Sequence, residues 1–305
     1  MADLQRLDHD LYLIDTRYNG TPQAIGVFLL TGDRPALIET GPAARIETVL
    51  DGVRSAGLAP EDLQAVAVTH IHLDHAGAVG ELVQRLPHLD VYVHPVGAPH
   101  LADPSRLLAS AGRLYGDELE PLFGPVLPVP ARRIHTLEDG AHLVLGSRRL
   151  VALDTPGHAR HHLVYVDEAT GEVFTGDAAG VAVPGSRYVR PPTPPPELDP
   201  PAWDATIERL RALRPSRLFL THFGPHGGAD ELLMQLRRRL HAALDLVERA
   251  LAEGLEAQAV VARLQSWLLA DLAAAEGREQ ATRHEVIMST RLSALGLIRY
   301  VQKRG

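Results

Sequence analysis

The chain has 305 residues, a formal net charge of −8, no Cys and a single Lys, Lys303. This length predicts one large domain or a domain with an appendage. The absence of Cys excludes disulfides, cysteine nucleophiles and thiolate metal ligands, and the acidic balance argues against nucleic acid as a partner. Because Cys is absent, any transition-metal site must use nitrogen and oxygen ligands, and the chain contains 16 His that could supply them.

The first part of the chain alternates short apolar runs with turns and helical patterns, which predicts an α/β fold. Residues 65–69 read as a buried strand that runs into a His-rich loop, followed by a helix over 76–86 and a strand over 91–94. This order is that of a βαβ-like unit. Further strands are predicted over residues 11–15, 25–30, 36–40, 133–136, 142–145, 149–154, 163–166 and 172–175, and a helix over 43–56.

Residues 97–125 are less regular, with a helix predicted over 105–118, and we expect this segment to form a lid or a dimer contact. Residues 191–201 contain seven Pro, which predicts a stiff surface loop. A helix over 203–213 and a strand over 217–221 follow.

The last quarter of the chain has a helical pattern throughout. Apolar residues recur every three or four positions from Leu232 to Leu251, and residues 256–275 and 284–301 continue in the same way. We therefore predict an α/β domain over residues 1–227 and a helical C-terminal extension over 228–305. The apolar stripe indicates packing or the face of a homodimer.

Signals for export or membrane insertion are missing from the sequence. The first residues show no basic start followed by an apolar stretch, and no apolar run approaches the roughly 20 residues that span a bilayer. We expect a cytoplasmic protein without a membrane partner.

The segment over residues 69–77 reads Thr-His-Ile-His-Leu-Asp-His-Ala-Gly and contains four possible metal ligands. His70 and His72 are two positions apart in an extended segment, so both side chains project to one side and can bind one metal. Asp74 and His75 begin the next helix and can face a second position nearby. Imidazole and carboxylate groups are the natural ligands of Zn²⁺ and similar ions.

Three later segments each end an apolar strand with one more possible ligand. Asp154-Thr-Pro-Gly-His158 supplies His158, Thr175-Gly-Asp177 supplies Asp177, and Thr221-His222-Phe-Gly supplies His222. A sheet sandwich would bring such strand ends to one edge. Seven nitrogen and oxygen ligands exceed the needs of one tetrahedral ion, so two ions are expected.

These motifs resemble the metallo-β-lactamase superfamily, whose signature is His-x-His-x-Asp-His followed by single His, Asp and His ligands. The resemblance covers about residues 10–225 and implies an αβ/βα sandwich with two metal ions at one edge. It implies that the first metal is held by His70, His72 and His158. It implies that the second is held by Asp74, His75 and His222, with Asp177 bridging the two.

The ligand set predicts a hydrolase that uses a metal-bridging hydroxide against an ester, thioester, lactone or phosphoester of a small molecule. Asp74 is the predicted catalytic residue, since it could orient the hydroxide and pass its proton to the leaving group. We expect two divalent ions, Zn²⁺ first, with Fe or Mn as alternatives.

Departures from known subfamilies narrow this interpretation. The chain lacks the ligand Cys of the commonest zinc β-lactamases and the Glu that diiron flavoproteins have at the position of His72. Lactonases carry a Tyr shortly after the bridging Asp, whereas here the nearest is Tyr188. The basic glutathione-binding motif of glyoxalase II-type thioesterases cannot be matched to the C-terminal region. A mononuclear iron persulfide dioxygenase is the alternative from another reaction class, and a non-catalytic role is a third hypothesis.

Several other residues have possible roles in the site. Glu39 could accept a hydrogen bond from the outer nitrogen of a ligand His. His226 could line the pocket, although a plain loop position is favoured. At most one of His161 and His162 can point inward if both lie on a strand. Arg187 and Arg190 could bind an anionic substrate.

Overall fold

The structure is a computed structural model that describes residues 3–183, 186 and 188–304, apart from the side chains of residues 279, 280, 282 and 286. Its centre is a pair of sheets packed face to face, with helices covering both outer faces. This arrangement is the α/β sandwich that the sequence predicted. None of the helices in the described part of the chain is long and apolar enough to cross a membrane.

The first sheet has seven strands in chain order. Its strands are β1 (Asp3–Arg6), β2 (Leu11–Asp15), β3 (Gly26–Leu30), β4 (Ala36–Ile38), β5 (Ala65–Ala67), β6 (Asp90–Val93) and β7 (Ile134–Thr136). Strands β4 to β7 are parallel to one another, and the earlier pairs are antiparallel. The carboxyl ends of the parallel strands therefore meet at one edge of this sheet.

The second sheet has six strands in the order β13-β12-β11-β10-β9-β8. They are β8 (Ala141–Leu145), β9 (Arg148–Asp154), β10 (Leu163–Asp167), β11 (Val173–Gly176), β12 (Leu218–Leu220) and β13 (Gly224–His226). Strand β10 is antiparallel to both of its neighbours, and β11 is parallel to β12. The carboxyl ends of β9, β11 and β12 thus share one edge.

The helices flank the two sheets and form the C-terminal region. They are α1 (Ile46–Ser55), α2 (Leu73–Ala76), α3 (Val79–Arg85), α4 (Ala98–Ala102), α5 (Ser105–Tyr115), α6 (Leu119–Phe123), α7 (Pro200–Ala212), α8 (Ala229–Ala252), α9 (Ala257–Glu276), α10 (Arg278–Ile287) and α11 (Thr290–Arg304). The predicted elements are present with ends shifted by up to three residues, except at the C-terminus.

The apolar stripe of α8 lies inside the chain's own core. Leu232, Leu236, Leu240, Leu244 and Val247 are buried in one cluster with α7, α11 and the outer face of the second sheet. Each fully buried Leu or Val side chain contributes roughly 1.5–3 kcal/mol. The stripe therefore attaches the helical region to the sandwich instead of forming a dimer face. The division at residue 228 and the homodimer remain predictions.

Two expectations about the second half were wrong. The helix predicted over 284–301 is broken, because α10 ends at Ile287 and α11 begins at Thr290, whose backbone N–H donates to Glu285 Oε1 at 3.0 Å. The Pro-rich segment is not simply a surface loop, because Pro191, Pro192 and Thr193 are buried. Thr193 Oγ1 donates to the carbonyl of Ser293 on α11 at 3.0 Å, so the C-terminal helices cover this loop.

Candidate metal centre

The seven predicted ligands meet where the carboxyl ends of strands from both sheets face each other. The loop after β5 carries two of them, and the short helix α2 begins one residue after His72 and presents the next two. The loops after β9, β11 and β12 carry one each. The side chains gathered in this way are those of His70, His72, Asp74, His75, His158, Asp177 and His222.

The first ligand group is formed by His70, His72 and His158. The Nδ1 atom of His72 lies 2.9 Å from Nε2 of His70 and 2.9 Å from Nε2 of His158. One ligand atom from each of the three residues lies within 4.8 Å of the others. Three imidazole nitrogens at this spacing can share one tetrahedral ion.

The second group is formed by Asp74, His75 and His222, whose ligand atoms also lie within 4.8 Å of one another. The Nε2 atoms of His75 and His222 are 3.3 Å apart. Asp74 Oδ2 is 3.4 Å from Nε2 of His222 and 3.7 Å from Nε2 of His75. The group therefore offers two nitrogens and one oxygen to a second ion.

Asp177 lies between the two groups. Its Oδ2 atom is 3.3 Å from Nε2 of His158, and its Oδ1 atom is 3.3 Å from Nε2 of His75 and 3.5 Å from Nε2 of His222. Oδ1 is buried and has no hydrogen-bond partner. One carboxylate thus presents one oxygen to each group, which is the arrangement of a bridging ligand.

Hydrogen bonds on the outer side of the rings determine which nitrogens face inward with lone pairs. His158 Nδ1 donates to the carbonyl of Pro192 at 2.8 Å, and His222 Nδ1 donates to that of Ala24 at 2.7 Å. A carbonyl oxygen only accepts, so each Nδ1 carries the proton and the Nε2 of the neutral ring faces inward with a lone pair.

Glu39 orients His75 and His70 from a fully buried position. Its Oε1 accepts from Nδ1 of His75 at 3.0 Å and from the hydroxyl of Thr69. The oxygen of that hydroxyl is 3.0 Å from Nδ1 of His70, so it accepts the His70 proton while donating its own to Glu39. The proposed outer role of Glu39 therefore agrees with the geometry.

The two groups differ in their affinity for protons. Burial and the neighbouring His158 lower the pKa of His72 to about 3, and burial together with the surrounding rings holds the pKa of His70 well below its usual value. Burial acts in the same direction on His75 and His222, but the nearby carboxylates of Asp177 and Asp74 outweigh it and raise the pKa of both. The second group therefore holds protons more strongly.

The facing atoms of the seven side chains are better suited to binding cations than to forming hydrogen bonds with one another. His72 Nδ1 carries at most one proton, so it cannot make full hydrogen bonds to both inward lone pairs at 2.9 Å. The buried Asp177 Oδ1 makes no well-formed hydrogen bond, since Nε2 of His75 remains 3.3 Å away. Burial alone would raise the pKa of Asp177, but His75, His158 and His222 hold it well below its usual value. An anionic carboxylate between imidazole lone pairs is a donor set suited to divalent metal ions.

A cavity of about 370 Å³ opens directly above the ligands. Helices α5 and α6 form one wall, the Pro-rich loop a second, and the turn between α10 and α11 a third. Residues 97–125, for which we expected a lid or a dimer contact, therefore cover the site within one chain. The volume lies at the low end of the range for small-molecule pockets.

Two other residues singled out from the sequence, His226 and Arg190, do not line the cavity. His226 lies in β13 with Nε2 3.1 Å from the carbonyl of Phe223, away from the cavity lining. Arg190 is buried and donates to the backbone of α10 and the following turn, so it ties the loop to the C-terminal helices and does not face the cavity. Arg187 lies outside the described residues.

His161 and His162 are both buried, so neither side chain faces solvent. His162 Nε2 accepts from the backbone N–H of Asp177 at 3.1 Å and so positions the loop that carries the bridging carboxylate. His161 lines the cavity. The two rings can both turn inward because they lie before β10, in a turn, where the alternation of a strand does not apply.

Tyr18 and Tyr115 are cavity residues that the sequence did not reveal. Tyr18 follows β2 and Tyr115 ends α5, and both rings lie near Phe123. Burial and the nearby Asp74 carboxylate raise the pKa of both phenols, so they stay protonated at neutral pH. They carry no motif, and only the tertiary fold brings them to the ligands.

The fold and the ligand cluster define a metal-binding protein of the αβ/βα sandwich class. A sequence profile of the metallo-beta-lactamase superfamily matches residues 20–222. The chain therefore belongs to the metallo-beta-lactamase superfamily, as the motifs predicted.

Individual relatives are similar over part of the chain. A metallo-beta-lactamase fold-containing protein of Sulfurisphaera tokodaii is 31% identical over 168 residues, which are 54% of this chain and 62% of the relative. A hydroxyacylglutathione hydrolase of Vibrio cholerae is 32% identical over 116 residues, 38% of this chain and 33% of the relative. The chain thus spans less than two thirds of either relative.

A solved structure extends the comparison to the C-terminal helices. A metallo-beta-lactamase family protein of Thermus thermophilus superposes with a TM-score of 0.72 at 22% identity. The superposition covers 98% of this chain and 95% of the other. At this identity the likeness shows a shared fold, which includes the helical region.

Proposed function

We propose that this protein is a dinuclear metal-dependent hydrolase that cleaves an ester, thioester, lactone or phosphoester of a small molecule. The observation that carries the proposal is the pair of ligand groups with Asp177 between them, at the floor of a cavity. We propose Zn²⁺ as the ion, because histidine nitrogens and carboxylate oxygens suit it, with Fe and Mn as the alternatives.

The two ligand groups would hold two cations, which would supply a hydroxide at neutral pH and polarise the substrate oxygen. The protein's own contribution begins with Asp177, whose side chain is only 6% exposed. Its carboxylate fixes the position of the two ligand groups relative to each other. Asp74 lines the cavity and is 30% exposed. Burial would raise its pKa, but His75 and His222 outweigh burial and lower it, so its Oδ2 is an anion that can accept a proton beside the substrate.

The relatives support hydrolysis as the reaction class and leave the substrate open. The hydroxyacylglutathione hydrolase of Vibrio cholerae shares only 116 aligned residues with this chain. Function in such folds depends on the loops around a common centre. Here the segments around the centre are helices α5 and α6, the Pro-rich loop and the turn after α10. They lie largely outside the ligand motifs.

Metal analysis combined with a panel of thioesters, lactones and phosphodiesters tests the proposal. The purified protein is expected to hold about two metal ions per chain, as two tetrahedral groups require, and to hydrolyse at least one class. His72→Ala should lose metal and activity together, whereas His142→Ala, an exposed residue on β8, should keep both. A folded wild-type protein that takes up no metal would refute the proposal.

The second ligand group favours this reaction over a mononuclear iron persulfide dioxygenase. One ion needs only one of the two groups, yet Asp74, His75 and His222 form a complete second one. A chain with a single iron that consumes O₂ in the presence of a persulfide would instead identify the dioxygenase.

A further inference from the structure

We infer that the site takes an uncharged substrate whose hydrocarbon part lies between α5–α6 and the turn after α10, and whose uncharged oxygen accepts a hydrogen bond from His161. The inference rests on the proposed function, since it names the substrate class of that same site. It depends on the lining of the cavity and on one buried imidazole.

Much of the cavity wall consists of apolar side chains. Helices α5 and α6 contribute Leu107, Leu114 and Leu122, and the other side is formed by Ile287 and Leu292. Both sets of residues line the same cavity as the predicted metal ligands. A hydrocarbon group placed between them would lose contact with water on both sides, which is the main source of affinity in such pockets.

Charged side chains on the walls are few among the described residues that line the cavity. Arg106 is exposed on α5, and Glu197 comes from the Pro-rich loop. Arg190 is turned away towards α10, where it donates to the carbonyls of His284 and Met288. The described walls therefore offer no buried cation to an anionic acyl chain, whose desolvation would remain uncompensated.

His161 is a buried polar residue of this lining. The residue is 5% exposed, and its ring lies 5.6 Å from the His72 ring. Its Nδ1 atom is buried without a hydrogen-bond partner. Its Nε2 atom is 3.4 Å from Oε2 of Glu197, another cavity residue.

Glu197 determines which nitrogen of His161 carries the proton. A carboxylate oxygen only accepts, so the proton of the neutral ring is placed on Nε2. The 3.4 Å separation brings the two groups close without forming a hydrogen bond, so the N–H is available to a substrate oxygen that enters beside Glu197. His161 is thus a binding residue for a neutral oxygen, next to the first ligand group and below the apolar walls.

A matched pair of substrates tests the charge preference. The p-nitrophenyl esters of hexanoic acid and adipic acid present acyl chains of the same length that differ by a terminal carboxylate. The two-metal protein is expected to cleave the hexanoate with a kcat/KM at least about tenfold higher, because burying an unpaired carboxylate is costly. Equal rates or a preference for the adipate would overturn the inference while leaving the hydrolase assignment intact.

Variants of His161 test the hydrogen bond. His161→Phe keeps a ring but removes the donor, and it is expected to raise KM for the hexanoate about tenfold with kcat and metal content little changed, as loss of a ground-state hydrogen bond does. His161→Gln retains an N–H and should recover most of the affinity. A fall in kcat together with loss of metal in both variants would show a structural role and refute the hydrogen bond.

Binding without turnover makes the inference independent of hydrolysis. Calorimetric titration of the metal-loaded protein with hexanamide should show binding that is weakened about tenfold by Leu114→Asp, which puts a charge on the apolar wall. Leu213→Asp changes a Leu that is 41% exposed, outside the cavity lining, and should leave binding unchanged. Hexanamide binding that is absent, or is unaffected by Leu114→Asp, would refute the apolar cradle.

Discussion

The Nδ1 atom of His75 lies 3.0 Å from the Oε1 atom of Glu39, and neither side chain is accessible to solvent. This contact places the His75 proton on the outer nitrogen and leaves Nε2 for the second ligand group. Through Thr69, the same carboxylate also orients His70 of the first group. Glu39 therefore orients one predicted ligand in each group, through the outer nitrogen of its ring.

The first prediction concerns Glu39→Gln. An amide keeps the size of the side chain but is a weaker acceptor for His75, and we expect metal affinity to fall by about 10- to 100-fold. Competition with a chromophoric chelator measures the change. Glu138→Gln, at an exposed position, should leave affinity unaltered. Equal affinities for wild type and Glu39→Gln would show that the contact does not support the metal site.

The second prediction is a stepwise loss of metal on acidification. A raised pKa means that His75 and His222 bind protons already above the ordinary range, so protons compete with metal there first as pH falls. His72, with a pKa lowered to about 3, stays unprotonated to much lower pH. The second group should therefore release its ion before the first.

Elemental analysis after dialysis at decreasing pH measures this order. His222→Ala leaves only the first group intact and should hold its single ion to a lower pH than that at which the wild type loses its first ion. Release from His222→Ala at a higher pH than the first loss from the wild type would contradict the prediction.

The third prediction concerns Arg148, a buried residue that joins the start of β9 to the loop before β2. Its guanidinium lies 2.6 Å from Asp10, 3.0 Å from Asp167 and 3.0 Å from Glu172. Arg148→Met leaves Asp10 and Asp167 buried without their cation and should lower the free energy of unfolding by about 3–5 kcal/mol. Arg149→Met, whose side chain is 72% exposed, should change it by less than about 0.5 kcal/mol.

The effect of Arg148 should depend on pH. Burial opposes the ionisation of Asp10, but hydrogen bonds from Arg148 and Ser147 outweigh it and lower its pKa. A lowered pKa contributes stability above the unfolded value, near 4, and this contribution disappears as pH falls through the folded value. The difference between wild type and Arg148→Met in urea unfolding should therefore be smaller at acidic pH than at pH 7, and a constant difference would contradict the assignment.

The fourth prediction concerns the seam between α11 and the Pro-rich loop. A Cβ atom at Gly296 would overlap the carbonyl oxygen of Thr193, so Gly296→Ala must move the helix or the loop, at a cost of about 1–3 kcal/mol. Gly112→Ala in α5 meets no atom within 4 Å and should stabilise the protein by roughly 0.5–1 kcal/mol. Thermal unfolding compares them, and equal stabilities would show that the seam is loose.

The elements that carry ligands could be predicted because local sequence determines them. His70 and His72 follow an apolar β-rich run, and His158, Asp177 and His222 each follow another, so the strand pattern and the ligand motif coincide. The family resemblance then supplied the grouping around two ions. The structure places the six predicted ligands other than Asp177 in the same two groups, with Asp177 between them.

The walls of the site could not be predicted because their residues have no common pattern. Tyr18 comes from a loop after β2, Tyr115 from α5 and Ile287 from the end of α10. Their proximity depends on how the helical region packs on the sandwich, which periodicity does not report. The burial of the Pro-rich loop could not be predicted for the same reason, since composition indicates the stiffness of the loop but not the helix that covers it.

The carbonyl of Pro192 that accepts from His158 belongs to the same loop whose Thr193 is fastened to α11. His158, a predicted metal ligand, is thus held in place by α11 through the Pro-rich loop. Exchanging residues 228–305 between members of the superfamily would then disturb the first ligand group as well as the pocket. The helical region and the Pro-rich loop should be transplanted together in any chimeric protein.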